Sequence, residues 1–288
     1  MPDRSVQSLG NFLDRVADCR KWWDSESSRE LWFRGERRQY ETILRPQLYR
    51  QPKGRSLKPV PELLDIENDL YEGFKRCAVQ LCNEKISDDD WSWDSYFLMQ
   101  HHNAPTRLLD WSDGALMALH FAVRNKVDED REDPVVYVLE PYRLLDKLKA
   151  LPDTEIAKQQ WRAYAEKNPS DDLAADEWED AYLPEDEEDR AELTIPRLPL
   201  LLDFSHITRR IAAQRSRLIV FGTDPDWLAE EFRKPQSAIR AITIDASFSR
   251  QIRIELKDSG ITESVIYPDL DGLGREMKQL WDDRNSRR

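Results

Sequence analysis

The spacing of apolar positions changes several times along this chain, and each change marks an expected element. Val6, Leu9, Phe12, Leu13, Val16 and Cys19 recur at helical intervals and predict an amphipathic helix over 5–24. Leu31-Trp32-Phe33-Arg34-Gly35 reads as a short strand ending in a turn. Leu63, Leu64, Ile66, Leu70 and Phe74 stripe a helix over 61–83, entered through Pro59 and Pro61. Helices are expected over 93–101 and 113–125, the second with Asp113 as a candidate cap. Val135-Val136-Tyr137-Val138-Leu139 is the clearest strand. Strands are also expected at 217–221, 241–244 and 262–267, a helix over 248–260 closed by Gly260, and a terminal helix after the turn 268–272. Helices come first and strands cluster later. The fold class is therefore α+β, with a mixed or antiparallel central sheet flanked by helices.

Residues 141–190 carry helical, acidic sequence without strand signal, and an insertion is read over 141–203. The expected organisation is an N-terminal helix (1–24), a main domain (25–275) holding that insertion, and a C-terminal helix end and tail (276–288). The acidity is local. Of a formal net charge of −13, residues 171–190 hold eleven acids against one arginine, so the remainder is close to neutral. An anionic partner is not excluded by the overall balance. With 40% hydrophobic residues and ten tryptophans, 288 residues can bury a large core. No apolar run is long enough to cross a bilayer. The start Met1-Pro2-Asp3-Arg4-Ser5 lacks the order of a secretory signal. Three scattered cysteines (Cys19, Cys77, Cys82) show no metal spacing and read as reduced core thiols of a cytoplasmic protein.

Polar residues concentrate in a few places. The densest is Gln100-His101-His102-Asn103-Ala104-Pro105-Thr106-Arg107-Leu108-Leu109-Asp110-Trp111-Ser112, between apolar flanks. Burying so many polar groups is costly unless each is satisfied, so this run is either a site or a polar network that fixes the chain path. His101 and His102 end a helix and are candidate bases, caps or ligands. Adjacent helical histidines point apart and no third ligand stands at zinc spacing, so no metal is expected. Pro105 biases Ala104 to extended backbone, and Thr106 to Trp111 should run as a strand or loop. Arg107 and Asp110, three apart, would then face opposite sides and not pair.

Three further segments stand out. In Trp32-Phe33-Arg34-Gly35-Glu36, Gly35 permits a turn or a close ligand approach, and Arg34 can clamp phosphate or carboxylate or simply pair with Glu36 or Glu41. Arg209-Arg210-Ile211-Ala212-Ala213-Gln214-Arg215-Ser216-Arg217 would put Arg210 and Gln214 on one helical face, suited to phosphate or ribose, or to the acidic insertion. Glu263 opens the apolar run before Tyr267, a place for a rigidly held carboxylate. Asp269 and Asp271 read as turn residues.

Together these segments, with Leu44-Arg45-Pro46 and Ala118-Leu119-His120-Phe121-Ala122, resemble the FRG domain family over most of residues 30–275. Asn103 and Ser216 stand where that family usually has glycine. The layout of the family is similar to ADP-ribosyltransferases, with an Arg ending the first strand, a polar strand leading into a helix, and a Glu near the last strand. The resemblance implies NAD as substrate and no metal. Arg34 and Gly35, with His101, Arg107, Trp111, Arg210 and Gln214, would bind the nucleotide. Glu263, Asp110, Thr106 and His102 would form the catalytic set, with Glu263 stabilising an oxocarbenium-like ribose. A glycine-rich dinucleotide loop is absent, so side chains would have to bind the nucleotide.

The resulting expectation is an NAD-dependent ADP-ribosyltransferase or glycohydrolase, a toxin or defence effector, with a protein or nucleic-acid acceptor and a neutralising or regulatory protein as partners. Two alternatives stay open: a non-catalytic nucleotide or nucleic-acid binding module built on the arginines, and a metal-independent hydrolase using His101 or His102.

Overall fold

The computed structural model describes residues 5–26, 29–50, 54–81, 93–124, 132–169, 176–184, 193, 195–202 and 212–285. Its centre is a six-stranded sheet in the order β4-β5-β2-β1-β3-β6, with every neighbouring pair antiparallel. The strands are β1 (Trp32–Glu36), β2 (Leu108–Ser112), β3 (Val135–Leu139), β4 (Leu200–Leu202), β5 (Ser216–Val220) and β6 (Ile239–Thr243). Helices α1 (Leu9–Trp23), α2 (Val60–Leu81), α3 (Trp93–His101), α4 (Ala115–Val123), α5 (Pro141–Lys149), α6 (Pro152–Lys167), α7 (Trp227–Arg233), α8 (Ser249–Asp258), α9 (Glu263–Ile266) and α10 (Leu270–Asn285) surround it. The α+β class, with an antiparallel sheet flanked by helices, is as expected.

β3 explains why its sequence is apolar without interruption. All five of its residues are buried. Val135, Tyr137 and Leu139 join a core with Leu144 and Leu148 of α5 and Leu228 of α7. Val136 and Val138 join another with Phe33, Leu119 of α4 and Ile252 of α8. A strand covered on both faces needs apolar residues at every position. Each such side chain contributes roughly 1.5–3 kcal/mol.

The ladders are uneven, and this positions the site. β1 pairs with β3 at five positions, Trp32↔Leu139 to Glu36↔Val135. β2 pairs with β5 at five, Leu108↔Val220 to Ser112↔Ser216. Between β1 and β2 there is a single pair, Phe33↔Ser112. Beyond it the two strands part, and the sheet opens between Arg34–Glu36 and Asp110.

Several local expectations are corrected. Residues 262–267 form a helical turn, not a strand: Ile266 and Tyr267 N–H groups donate to Thr262 and Glu263 carbonyls at 3.1 and 2.8 Å. β6 is the last strand of that edge, and past it Val6 bridges Ile244, so the segment satisfies its backbone locally. Helix α4 starts at Ala115 after Gly114, and Asp113 does not cap it. Asp113 instead pairs with Arg215, and with Arg217 at 2.7 Å. β4 lies inside the 141–203 insertion and is unanticipated, because three residues after Pro199 are too few to show a period. Helix α7 is likewise unanticipated. Among the described residues no helix is long and apolar enough to cross a membrane.

Candidate functional site

Where the sheet opens, it forms one wall of a cleft of about 480 Å³, within the roughly 300–1,000 Å³ usual for small-molecule sites. β1 contributes Arg34, Gly35 and Glu36, and the following loop contributes Arg37, Tyr40 and Arg50. Gln100 and His101 come from the end of α3, and Asp110, Trp111 and Ser112 from β2. Arg124 follows α4, Gln214 lies in the turn before β5, Ser216 begins β5, and Tyr267 follows α9. Four arginines thus face two carboxylates, Glu36 and Asp110, amid aromatic rings. In a chain of net charge −13 this is a local reversal of sign.

Arg34 is the hinge of the arrangement. Its Nη1 donates to the Asp110 carbonyl at 2.7 Å and its Nε to Glu36 Oε1 at 3.0 Å. The first bond satisfies a carbonyl that a continuous β1–β2 ladder would have taken. Arg50 lies 3.6 Å from the same Glu36 oxygen, and its guanidinium sits over the Tyr40 ring at 5.7 Å. Burial and the adjacent Arg34 charge lower the Arg50 pKa below the usual arginine value. Such crowding of like charges favours an anion between them.

Asp110 is exposed toward the cleft, and its Oδ2 accepts from Gln100 Nε2 at 2.6 Å. The Gln100 Oε1 in turn accepts from Thr106 Oγ1. Asn103 has φ 63°, in the left-handed region where asparagine and glycine are favoured. Arg215 also has positive φ (51°), and it turns the chain between Gln214 and β5. Ser112 Oγ donates to the Gln214 carbonyl at 2.7 Å, holding that turn against β2.

The structure separates the other sequence candidates. Arg107 and Asp110 do not pair, as expected, but Arg107 is fully buried and does not reach the cleft. Its Nε donates to Glu67 Oε2 at 2.5 Å, and its other nitrogens donate to the Phe221 and Tyr182 carbonyls at 3.2 and 2.6 Å. A role for Arg107 in holding nucleotide is therefore replaced by a role in the core. Thr106 is buried behind Gln100. The two histidine rings are nearly perpendicular (89°); His101 lines the cleft, while His102 is exposed and turned toward Phe74. Gly35 lines the cleft and also permits close packing: a Cβ there would lie 1.8 Å from the Ala118 carbonyl oxygen of α4. Gln214 lines the cleft but has left the helix expected for it. Arg210 lies outside the described residues.

Glu263 sits one layer behind the cleft wall. It is 7% exposed, and His120 Nε2, Arg124 Nε and Arg275 Nε approach it at 3.0, 3.3 and 3.1 Å. Burial alone would raise its pKa. The His120 hydrogen bond and the Arg124 and Arg275 charges outweigh burial and hold it at about 2. Arg124, Arg50, Tyr40 and Tyr267 belong to the cleft yet were not singled out by sequence. Isolated residues in loops and at helix ends carry no periodic signal. No group of three or more His, Cys, Asp or Glu side chains that could hold a metal ion occurs among the described residues.

No curated protein sequence and no solved structure matches the chain. Residues 29–131 match the family model of the FRG domain. That span contains β1, the Gln100–Ser112 run and α4, whereas Gln214 and Tyr267 come from beyond it. Arg34, Glu36, Asp110 and Arg124 all lie inside the match, so the span similar to the FRG family model supplies most of the cleft lining among the described residues.

Proposed function

We propose that the cleft binds NAD or a related nucleotide and that the chain acts as an ADP-ribosyltransferase-like enzyme on the nicotinamide–ribose bond. The observation that carries this reading is the meeting of Arg34, Arg37, Arg50 and Arg124 with Tyr40 and Tyr267 in one pocket of an otherwise acidic chain. Guanidinium groups clamp a pyrophosphate, and aromatic rings accept a base. A pocket of this size suits a dinucleotide better than a duplex groove.

In the reaction the C1′–N bond breaks and its electron pair goes to the nicotinamide nitrogen, which leaves neutral and needs no proton donor. The positive charge that develops on the ribose requires a carboxylate. Asp110 faces the cleft and is held by Gln100 at 2.6 Å, so it takes that role. A nucleophile on a macromolecule, or water, completes the step. Arg34, anchored at Glu36 and the Asp110 carbonyl, fixes the pyrophosphate relative to Asp110.

A second reading, a binding module without catalysis, is favoured by one observation. Glu263, the carboxylate that the resemblance assigns to chemistry, is engaged by His120, Arg124 and Arg275 and does not line the cleft. Incubation with adenylate-labelled NAD separates the two. Nicotinamide release lost in Asp110→Asn supports the enzyme. Intact NAD that is nevertheless bound in an Arg34-dependent way supports the module.

A further inference from the structure

Among the described residues, Arg124 is the one cation that touches both the cleft and the cluster behind it. It follows the last turn of α4, four residues after His120, so both side chains leave the same helix face toward Glu263. Its Nε lies 3.3 Å from Glu263 Oε1, and its Nη1 donates to the Tyr267 hydroxyl. The Tyr267 ring is itself held between two guanidiniums, Arg124 at 4.9 Å and Arg275 at 4.5 Å from its centroid. Arg275 closes the other side of the cluster on Glu263 Oε2 at 3.1 Å.

This assembly is not self-neutralising. Two arginines face one carboxylate, so a positive charge is left over, and Arg124 is the arginine of the two that lines the cleft. A carboxylate behind a guanidinium restricts its rotamers while leaving its outer edge for a second anion. Arginine, with five donors in a planar fork, can serve both. Arg124 remains 19% exposed by side chain despite its contacts with Glu263 and Tyr267, whereas Glu263 is 7% exposed.

We propose that Glu263 is a positioning residue, not the catalytic carboxylate: together with the Tyr267 hydroxyl it orients Arg124 to bind an anionic group of the ligand, a phosphate of a nucleoside diphosphate. The inference rests on the nucleotide reading of the cleft and deepens it. Glu263 and Tyr267, remote in sequence from the FRG match, thereby complete the site that the match begins.

The test is calorimetric titration of the full chain with ADP-ribose and, separately, adenosine. The variants are Glu263→Gln, Tyr267→Phe, Arg124→Gln and the pairwise combinations with Arg124→Gln. Glu263→Gln and Arg124→Gln are each expected to weaken ADP-ribose about 10-fold or more, with Tyr267→Phe in the same direction. Each combined variant should be no weaker than Arg124→Gln alone, and adenosine affinity should stay unchanged throughout. Additive losses, or equal losses for adenosine, overturn the inference. So does a Glu263→Gln protein that binds ADP-ribose normally yet releases no nicotinamide. Should Glu263→Gln fail to fold, Tyr267→Phe removes only a hydroxyl and decides the same question. If the wild-type chain binds neither ligand, the nucleotide reading itself fails, and this inference falls with it. Binding that depends on Arg34 but not on Glu263, Tyr267 or Arg124 overturns the inference alone.

Discussion

Arg34 Nη1 donates to the backbone carbonyl of Asp110 at 2.7 Å, across the point where β1 and β2 separate. One side chain thus does for the open edge what a ladder would have done, and it leaves the rest of the gap open as part of the cleft. The same guanidinium is tied to Glu36, so it is fixed from two sides before any ligand arrives. Arg34→Lys should keep the charge but lose the fork. ADP-ribose affinity is expected to fall about 10-fold or more, measured by titration. Unchanged affinity would remove Arg34 from the binding site.

The Gly35 position is set by α4. With the Ala118 carbonyl oxygen 1.8 Å from where a Cβ would stand, Gly35→Ala must push the helix off β1. A loss of about 2–3 kcal/mol is expected in urea unfolding. A loss below about 0.5 kcal/mol, the range of neutral surface changes, would mean that the helix and strand are not so close.

Arg107 and Glu67 form a buried pair, with side chains 0% and 1% exposed. Arg107→Met strands the Glu67 carboxylate in the core and should cost about 3–5 kcal/mol. Combining it with Glu67→Gln should recover part of that loss, since the second change removes the stranded charge. A double variant less stable than Arg107→Met would contradict this account.

Two acids predict opposite slopes of stability with pH. Glu263 has its pKa depressed to about 2 in the folded chain, against burial, by His120, Arg124 and Arg275. Its contribution is complete above the unfolded value near 4.5 and is lost as pH falls toward 2. Asp180 is the reverse. Burial, reinforced by Glu177 and Glu179 and opposed by the Trp93 hydrogen bond, raises its pKa to about 6. The folded state then binds more protons, so its contribution grows as pH falls from about 6 toward 3.8. Melting temperatures across pH 2–7 for Glu263→Gln and Asp180→Asn check both. Each variant should flatten the curve in its own window; a change in the other's window would refute the assignment.

Much of this architecture was legible in residue order. The buried run of β3, the stripe of α2 and the Gly260 stop after α8 (φ 84°) follow from spacing and side-chain shape. The 262–267 segment misled because Val265 and Ile266 are apolar in strand and helix alike. Only the absence of a strand edge beside them made the turn helical. Arg107 misled for a related reason: a charge in a polar run reads as a ligand contact unless its partner, Glu67, forty residues earlier, is known to lie against it.

The chain by itself determined the α+β class, the polar Gln100–Ser112 run, the candidacy of Arg34 and the FRG resemblance, because these depend on local periodicity and on contiguous motifs. Tertiary structure alone decided that β1 and β2 meet at one pair, that Arg50, Arg124 and Tyr267 join Arg34 in the cleft, and that Glu263 stands behind Arg124. Those facts are contacts between segments up to 143 residues apart. Such contacts arise from the packing of whole faces, and nothing in the immediate neighbourhood of either residue encodes them.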